Sequence, residues 1–372
     1  MDKRLVFMTN IYYYALVASI SFVVSACVAV VGIPLIVRMC RRWKIYDLPN
    51  ERKVHSQAIP RLGGLVFLPA TGISFVLTIA MACHFWSDCY EFHLSTIVMT
   101  IGAMMIYVLG VFDDLRDIHA NQKFMILLVA SSLLPLCNLS INNLYGLFGV
   151  HELSAVMSYA ITILVIMLVV NAINLIDGID GLASGISMIL LGRFMYLFYR
   201  LHSVVLFVVC AALLAALVVF FCFNVFGKVG RYKIFMGDAG SLILGYVLAY
   251  LAIKYQMIND IYEYRDDALL VSYTMFIVPV CDLIRVALSR WCEHRPMFAA
   301  DKRHIHHIFM RAGLSMHATL IVILAMVVGF IVLNQFLYAW NVRFTWIFFI
   351  NVMLYVTILF TASRIAQRRS IE

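Results

Sequence analysis

The chain has 372 residues, of which 64% are hydrophobic and only 13% charged, with a mean hydropathy of +0.94. Soluble domains carry roughly a quarter charged residues, so these figures exclude a water-solvated globule, a secreted disulfide scaffold, a coiled coil and a disordered chain. What remains is an all-α polytopic integral membrane protein, a single domain over 1–372, with lipid as the solvent for most of its surface.

A membrane span needs about 20 apolar residues. Eleven stretches qualify: 11–38, 63–82, 95–112, 124–140, 154–175, 182–200, 203–223, 239–257, 268–288, 318–338 and 345–363. Alternate connections hold 21 Lys and Arg on one side and 6 on the other, and Arg193 lies within a span. Bases collect on the cytoplasmic side. The N-terminus is therefore expected in the periplasm and the C-terminus in the cytoplasm, and the +8 net charge is read as orientation rather than as a nucleic-acid surface. No internal repeat is visible.

In chain order, the basic connection 38–61 holds Arg52, Lys53 and His55, then the turn Pro60-Arg61-Leu-Gly63-Gly64. Most of its charges need no role beyond anchoring. Cys83 and Cys89 share one short loop and can pair in an oxidising compartment. After the third span comes Asp113-Asp114-Leu-Arg-Asp117, with Lys123 nearby. A solvated helix cap and a catalytic pair are both open for these acids.

The fifth span ends in Asn171-Ala-Ile-Asn174-Leu-Ile-Asp177-Gly-Ile-Asp180-Gly. Polar residues at every third position form one stripe on a helix. Such a stripe is costly in lipid and must face the interior of the bundle. Asn alone can serve as interhelical glue, but two Asn and two Asp in register exceed that need. The loop 224–238 carries Asn224, Lys228, Arg231 and Lys233 before Phe235-Met-Gly237-Asp238. Asp238 is well placed to cap the eighth span, and its small neighbours equally admit a metal or a phosphate. The ninth span contains Pro279-x-x-Asp282-x-x-Arg285. The loop 289–317 holds Arg303-His304-Ile-His306-His307, which suits phosphate binding better than zinc.

All these acids lie at predicted span boundaries on the cytoplasmic face. A divalent cation shared with phosphates explains such a gathering.

Together the motifs resemble the polyprenyl-phosphate N-acetylhexosamine-1-phosphate transferase family, in its order, from residue 46 to about 310. The His pattern resembles the undecaprenyl-phosphate GlcNAc-1-phosphate branch rather than the phospho-muramoyl-pentapeptide transferases, which are the second reading. A secondary transporter, with its acids near the midplane and repeated halves, is a third.

The resemblance implies UDP-N-acetylhexosamine as donor, undecaprenyl phosphate as acceptor, Mg²⁺ or Mn²⁺ as cofactor, and a bacterial inner-membrane location. Homodimers occur in the family. By the same resemblance Asp238 and Asn174 are metal ligands and Asp113, with Asp114 beside it, is the catalytic pair. Asp177, Asp180, Asn224, Lys123, Arg61, His55, Arg303, His304, His306 and His307 bind substrate, with sugar recognition in 289–317.

Overall fold

The computed structural model describes residues 3–47, 58–86, 94–116, 118–257, 265–294 and 303–369. His55, Cys89 and Asp117 lie outside the described residues, so a Cys83–Cys89 pairing is not addressed. Cys83 is an exposed thiol.

The helices run in the order α1 (Lys3–Trp43), α2 (Phe67–Trp86), α3 (Leu94–Arg116), α4 (Ala120–Leu136), α5 (Ala155–Ile176), α6 (Leu182–Arg200) and α7 (Val204–Val225). They continue with α8 (Gly237–Gln256), α9 (Ala268–Thr274), α10 (Ile277–Cys292), α11 (Ile305–Arg311), α12 (Met316–Ala339) and α13 (Phe344–Arg369). Two short antiparallel pairs complete the chain: β1 (Tyr46–Asp47) with β2 (Ile59–Pro60), and β3 (Asn143–Leu147) with β4 (Val150–Glu152).

Among the described residues nine helices are long and apolar enough to cross a bilayer, against the eleven stretches expected. Two differences account for the gap. The helix α4, expected as a span over 124–140, is a shorter apolar helix of 17 residues. The stretch 268–288, expected as one span, is broken into α9 and α10, which meet at 63°. Pro279 is the third residue of α10, where its missing N–H leaves no intrahelical bond unmade. The connection 289–317 is not a plain loop either: it contains the end of α10 and all of α11.

At the centre stands α8, buried along almost its whole length. It packs against α3 and α5, while α1, α2, α6 and α7 form an adjoining group. Small residues let the central helices close up, as expected where apolar burial gives no drive between helices in lipid. A Cβ built on Gly110 of α3 would overlap the backbone of Ala239, and one on Gly64 would overlap the backbone of Gly240. Large side chains such as Val31, Val76, Val332 and Met353 point outward, into what is lipid for a spanning helix. Arg193, inside α6, faces the Gln335 amide of α12, placed to accept from its guanidinium. It also lies 5.5 Å from the Tyr196 ring centre.

Candidate active site

The ends of α3, α5 and α8 meet beside α4, and there the separate acidic motifs converge. Lys123 of α4 bridges two of them. Its Nζ donates to Asp113 Oδ2 at 2.7 Å and to Asp238 Oδ2 at 2.9 Å. Asn174 of α5 donates from Nδ2 to the other Asp238 oxygen at 2.7 Å and to Ser241 Oγ at 2.8 Å. Four helices thus contribute one connected group, and Asp238 is its hub.

Behind the hub sits Asp114, which is buried. Its two oxygens accept from the backbone N–H groups of Asp238 (3.0 Å) and Ala239 (3.1 Å). The start of α8 is therefore capped by a carboxylate from α3, not by Asp238, which makes no capping bond of its own. Asp238 therefore has no capping role, and Asp114 fastens the end of α3 to the start of α8. Arg61 stands 4.0 Å from Asp114 Oδ1.

The Pro60–Gly64 turn is fastened to the same end of α8. Phe235 N donates to Pro60 O at 2.8 Å, Gly63 N to Phe235 O at 2.8 Å, and Gly64 N to Met236 O at 2.7 Å. Gly237 adopts φ +75°, and a Cβ there would overlap Arg61 O, so the entry into α8 requires glycine.

The stripe on α5 divides. Asn174 joins the hub, whereas Asn171 donates back to Met167 O of its own helix at 2.7 Å. Asp177 lies just past the helix, half-buried. Burial first, then the nearby Asp238, Asp180 and Asp114 charges, push its carboxyl up to about 8. Asp180 is held at 2.5 Å by Lys233 Nζ. Asn224 is buried and fully engaged: Oδ1 accepts from Gly181 N at 2.7 Å, and Nδ2 donates to Ile234 O at 2.9 Å. These bonds hold the 178–181 turn against the 226–236 connection.

The His segment reaches the same place. A Cβ on Gly178 would overlap the His306 ring, so α11 lies directly on the α5–α6 turn. His304 and His306 stack with centroids 6.0 Å apart, and His307 follows at 4.3 Å. His306 is 2% exposed. Burial first, then His307 and His304, lower its pKa to about 3, so its ring is neutral at physiological pH. Its Nδ1 is buried with no hydrogen-bond partner. Arg303 instead turns to Ser289 Oγ (3.0 Å) and Glu293.

One residue organises this segment from below. Asp282 of α10 receives His304 Nδ1 at 2.8 Å, the Ile305 N–H at 3.0 Å and Arg285 at 2.7 Å. An ionised carboxylate only accepts, so the proton sits on Nδ1 and the ring orientation is fixed. The sequence singled out Asp282 only through the Pro-x-x-Asp-x-x-Arg pattern. Ser241 and Lys233 were not expected as partners, and no spacing rule marks them.

The residues from five motifs therefore share one end of the bundle, as a transferase of the expected family requires. Comparison with known proteins agrees. The glycosyl transferase family 4 model matches residues 96–256. The "Probable undecaprenyl-phosphate N-acetylglucosaminyl 1-phosphate transferase" of Bacillus subtilis strain 168 is 30% identical over 84% of this chain and 82% of its own length. The chain belongs to glycosyl transferase family 4. Two further relatives of this glycosyl transferase are undecaprenyl-phosphate alpha-N-acetylglucosaminyl 1-phosphate transferases. That of Yersinia pestis is 27% identical, covering 75% of this chain and 73% of its own. That of Escherichia coli K12 is 25% identical, covering 77% and 74%. The match to the family model runs from α3 to the end of α8 and so includes Asp113, Lys123, Asn174 and Asp238, the whole connected group.

Proposed function

We propose that this transferase moves N-acetylglucosamine 1-phosphate from UDP-GlcNAc to undecaprenyl phosphate, releasing UMP and beginning a surface polysaccharide at the cytoplasmic face of a bacterial plasma membrane. The observation that carries the reading is the Asp113–Lys123–Asp238–Asn174 group, assembled from four helices at one end of the bundle.

A lipid phosphate oxygen attacks the β-phosphorus of the donor, and the bond to the bridging oxygen of UMP breaks. Both substrates are anions, so the barrier is largely electrostatic. A phosphate is already a competent nucleophile near neutrality, its second pKa being about 6. Asp113 then orients the acceptor and takes up its residual proton, while Lys123 meets the diphosphate. Asp114 keeps the start of α8 in register. His306 and His307 face the sugar-phosphate, held by Asp282 through His304.

Mg²⁺ or Mn²⁺ suits this donor set. Among the described residues no three His, Cys, Asp or Glu side chains form a ready cation cage. Mg²⁺, however, characteristically takes one or two carboxylates plus substrate phosphates. Asp238 and Asn174 would hold it. The Lys123 ammonium already bridges Asp113 and Asp238, which supports the fit of positive charge there. When bound, the metal neutralises charge developing on the diphosphate.

The test is direct. Membranes bearing the protein, given labelled UDP-GlcNAc, undecaprenyl phosphate and Mg²⁺, should yield lipid-linked sugar phosphate and UMP. Release of UDP, or uptake with no lipid product, would defeat the proposal. Turnover only with UDP-muramoyl-pentapeptide would move the chain to the peptidoglycan branch.

A further inference from the structure

An apolar groove of about 420 Å³ runs between α11 and α13, away from the connected acidic group. Phe309, Ala312 and Leu314 form one wall, and Ile358, Thr361 and Ile365 the other. The threonines on the α13 side do not make it polar. Thr357 and Thr361 donate to backbone oxygens one turn earlier in their own helix, at 2.7 and 2.8 Å. The α13 wall covers just over two turns, roughly 12 Å along the axis, enough to lay down a stretch of hydrocarbon chain.

One end of this groove is positively charged. Gly313 lies between two of the wall residues, and a Cβ there would collide with the Arg369 guanidinium. Arg369 therefore sits over the mouth. Arg364 and Arg368 are exposed on the last turns of α13, and Arg311 on the last turn of α11. Among the described residues 303–369 there is neither Asp nor Glu, and Glu372 is the one acid that follows them in the sequence. The groove is thus apolar along its walls and basic at one end.

We propose that the α11–α13 groove is a binding site for an anionic phospholipid of the leaflet on the active-site side, with one acyl chain along the groove and the phosphate against Arg368 and Arg369. Basic pockets between helices at a membrane surface select such headgroups. Phe309 belongs to the helix that carries His306 and His307, and Ala312 caps its C-terminal end. A chain in the groove therefore braces the His segment from its outer side, while Asp282 holds it from within.

The test reads binding rather than turnover and stands whatever the sugar donor is. The full chain is placed in nanodiscs of mixed phosphatidylcholine and phosphatidylglycerol, and the lipids retained are counted by native mass spectrometry. Wild type should retain phosphatidylglycerol preferentially. Arg368→Gln with Arg369→Gln should reduce that preference roughly 30-fold, with the chain still folded since both side chains are exposed. Ala312→Trp, which fills the groove, should lose the retained lipid altogether. An unchanged preference in both variants would overturn the proposal. So would a dimer that Ala312→Trp converts to monomer without altering lipid retention, which would assign the groove to a second copy of the chain.

Discussion

Two asparagine groups show what polar residues do inside this bundle. Asn334 of α12 and Asn351 of α13 exchange hydrogen bonds at 2.7 and 3.0 Å, and Asn351 also reaches Tyr273 Oη at 3.1 Å. Amide faces amide, no charge is present, and the three side chains tie α9, α12 and α13 together. Asn174 instead faces a carboxylate that is itself clasped by Lys123 and stands beside other acids. The first arrangement is complete as it stands. The second concentrates negative charge that a structural joint does not need, and the proposed phosphate-transfer site gives that excess a purpose.

This contrast can be broken experimentally. The largest effect is expected for Asp238→Asn, which should lower turnover by at least roughly 100-fold while the protein still inserts, read as UMP release per unit of membrane-embedded protein. Retained activity would remove Asp238 from the chemistry. Next comes Gly178→Ala. It touches no charged group but forces His306 away from the α5–α6 turn, and a displacement near 1 Å costs on the order of 100-fold. If its kcat and KM match wild type, the His segment has no part in substrate handling.

Asp114→Ala should remove the cap on α8, costing about 1–2 kcal/mol in thermal or denaturant stability, and lower activity with it. The Asn334–Asn351 pair should behave oppositely to Asn174. A double-mutant cycle with Val should return a coupling of roughly 0.6–1.7 kcal/mol with turnover intact.

One effect shows only below physiological pH. His306 titrates near 3 in the fold against an ordinary 6.5. Between those values the unfolded chain binds the extra proton. Stability contributed by neutral burial is thus fully present above about 6.5 and falls as the pH drops toward 3, by up to about 1.4 kcal/mol per unit. His306→Gln should flatten this acid limb in thermal melts between those limits.

Much of the architecture was legible because hydropathy and helix length follow from lipid alone. The acidic motifs were legible because charge at a span boundary needs a reason. What escaped the sequence was partnership across distance. Nothing near Asp114 says that it caps a helix more than a hundred positions later, and Lys233 looked like one more interface base until it met Asp180. The break in 268–288 escaped because hydropathy is continuous across Met275 and Phe276, although Pro279 marked the spot. Arg193 had no account until the fold brought Gln335 opposite it.

The innermost position of α8 carries a mechanical consequence. Asp238 hangs from the pillar of the molecule that has least room to shift, pinned at its foot by Asp114 and by the Pro60–Gly64 strap. Any room a large ligand needs must then come from the perimeter, while the connected acidic group stays still.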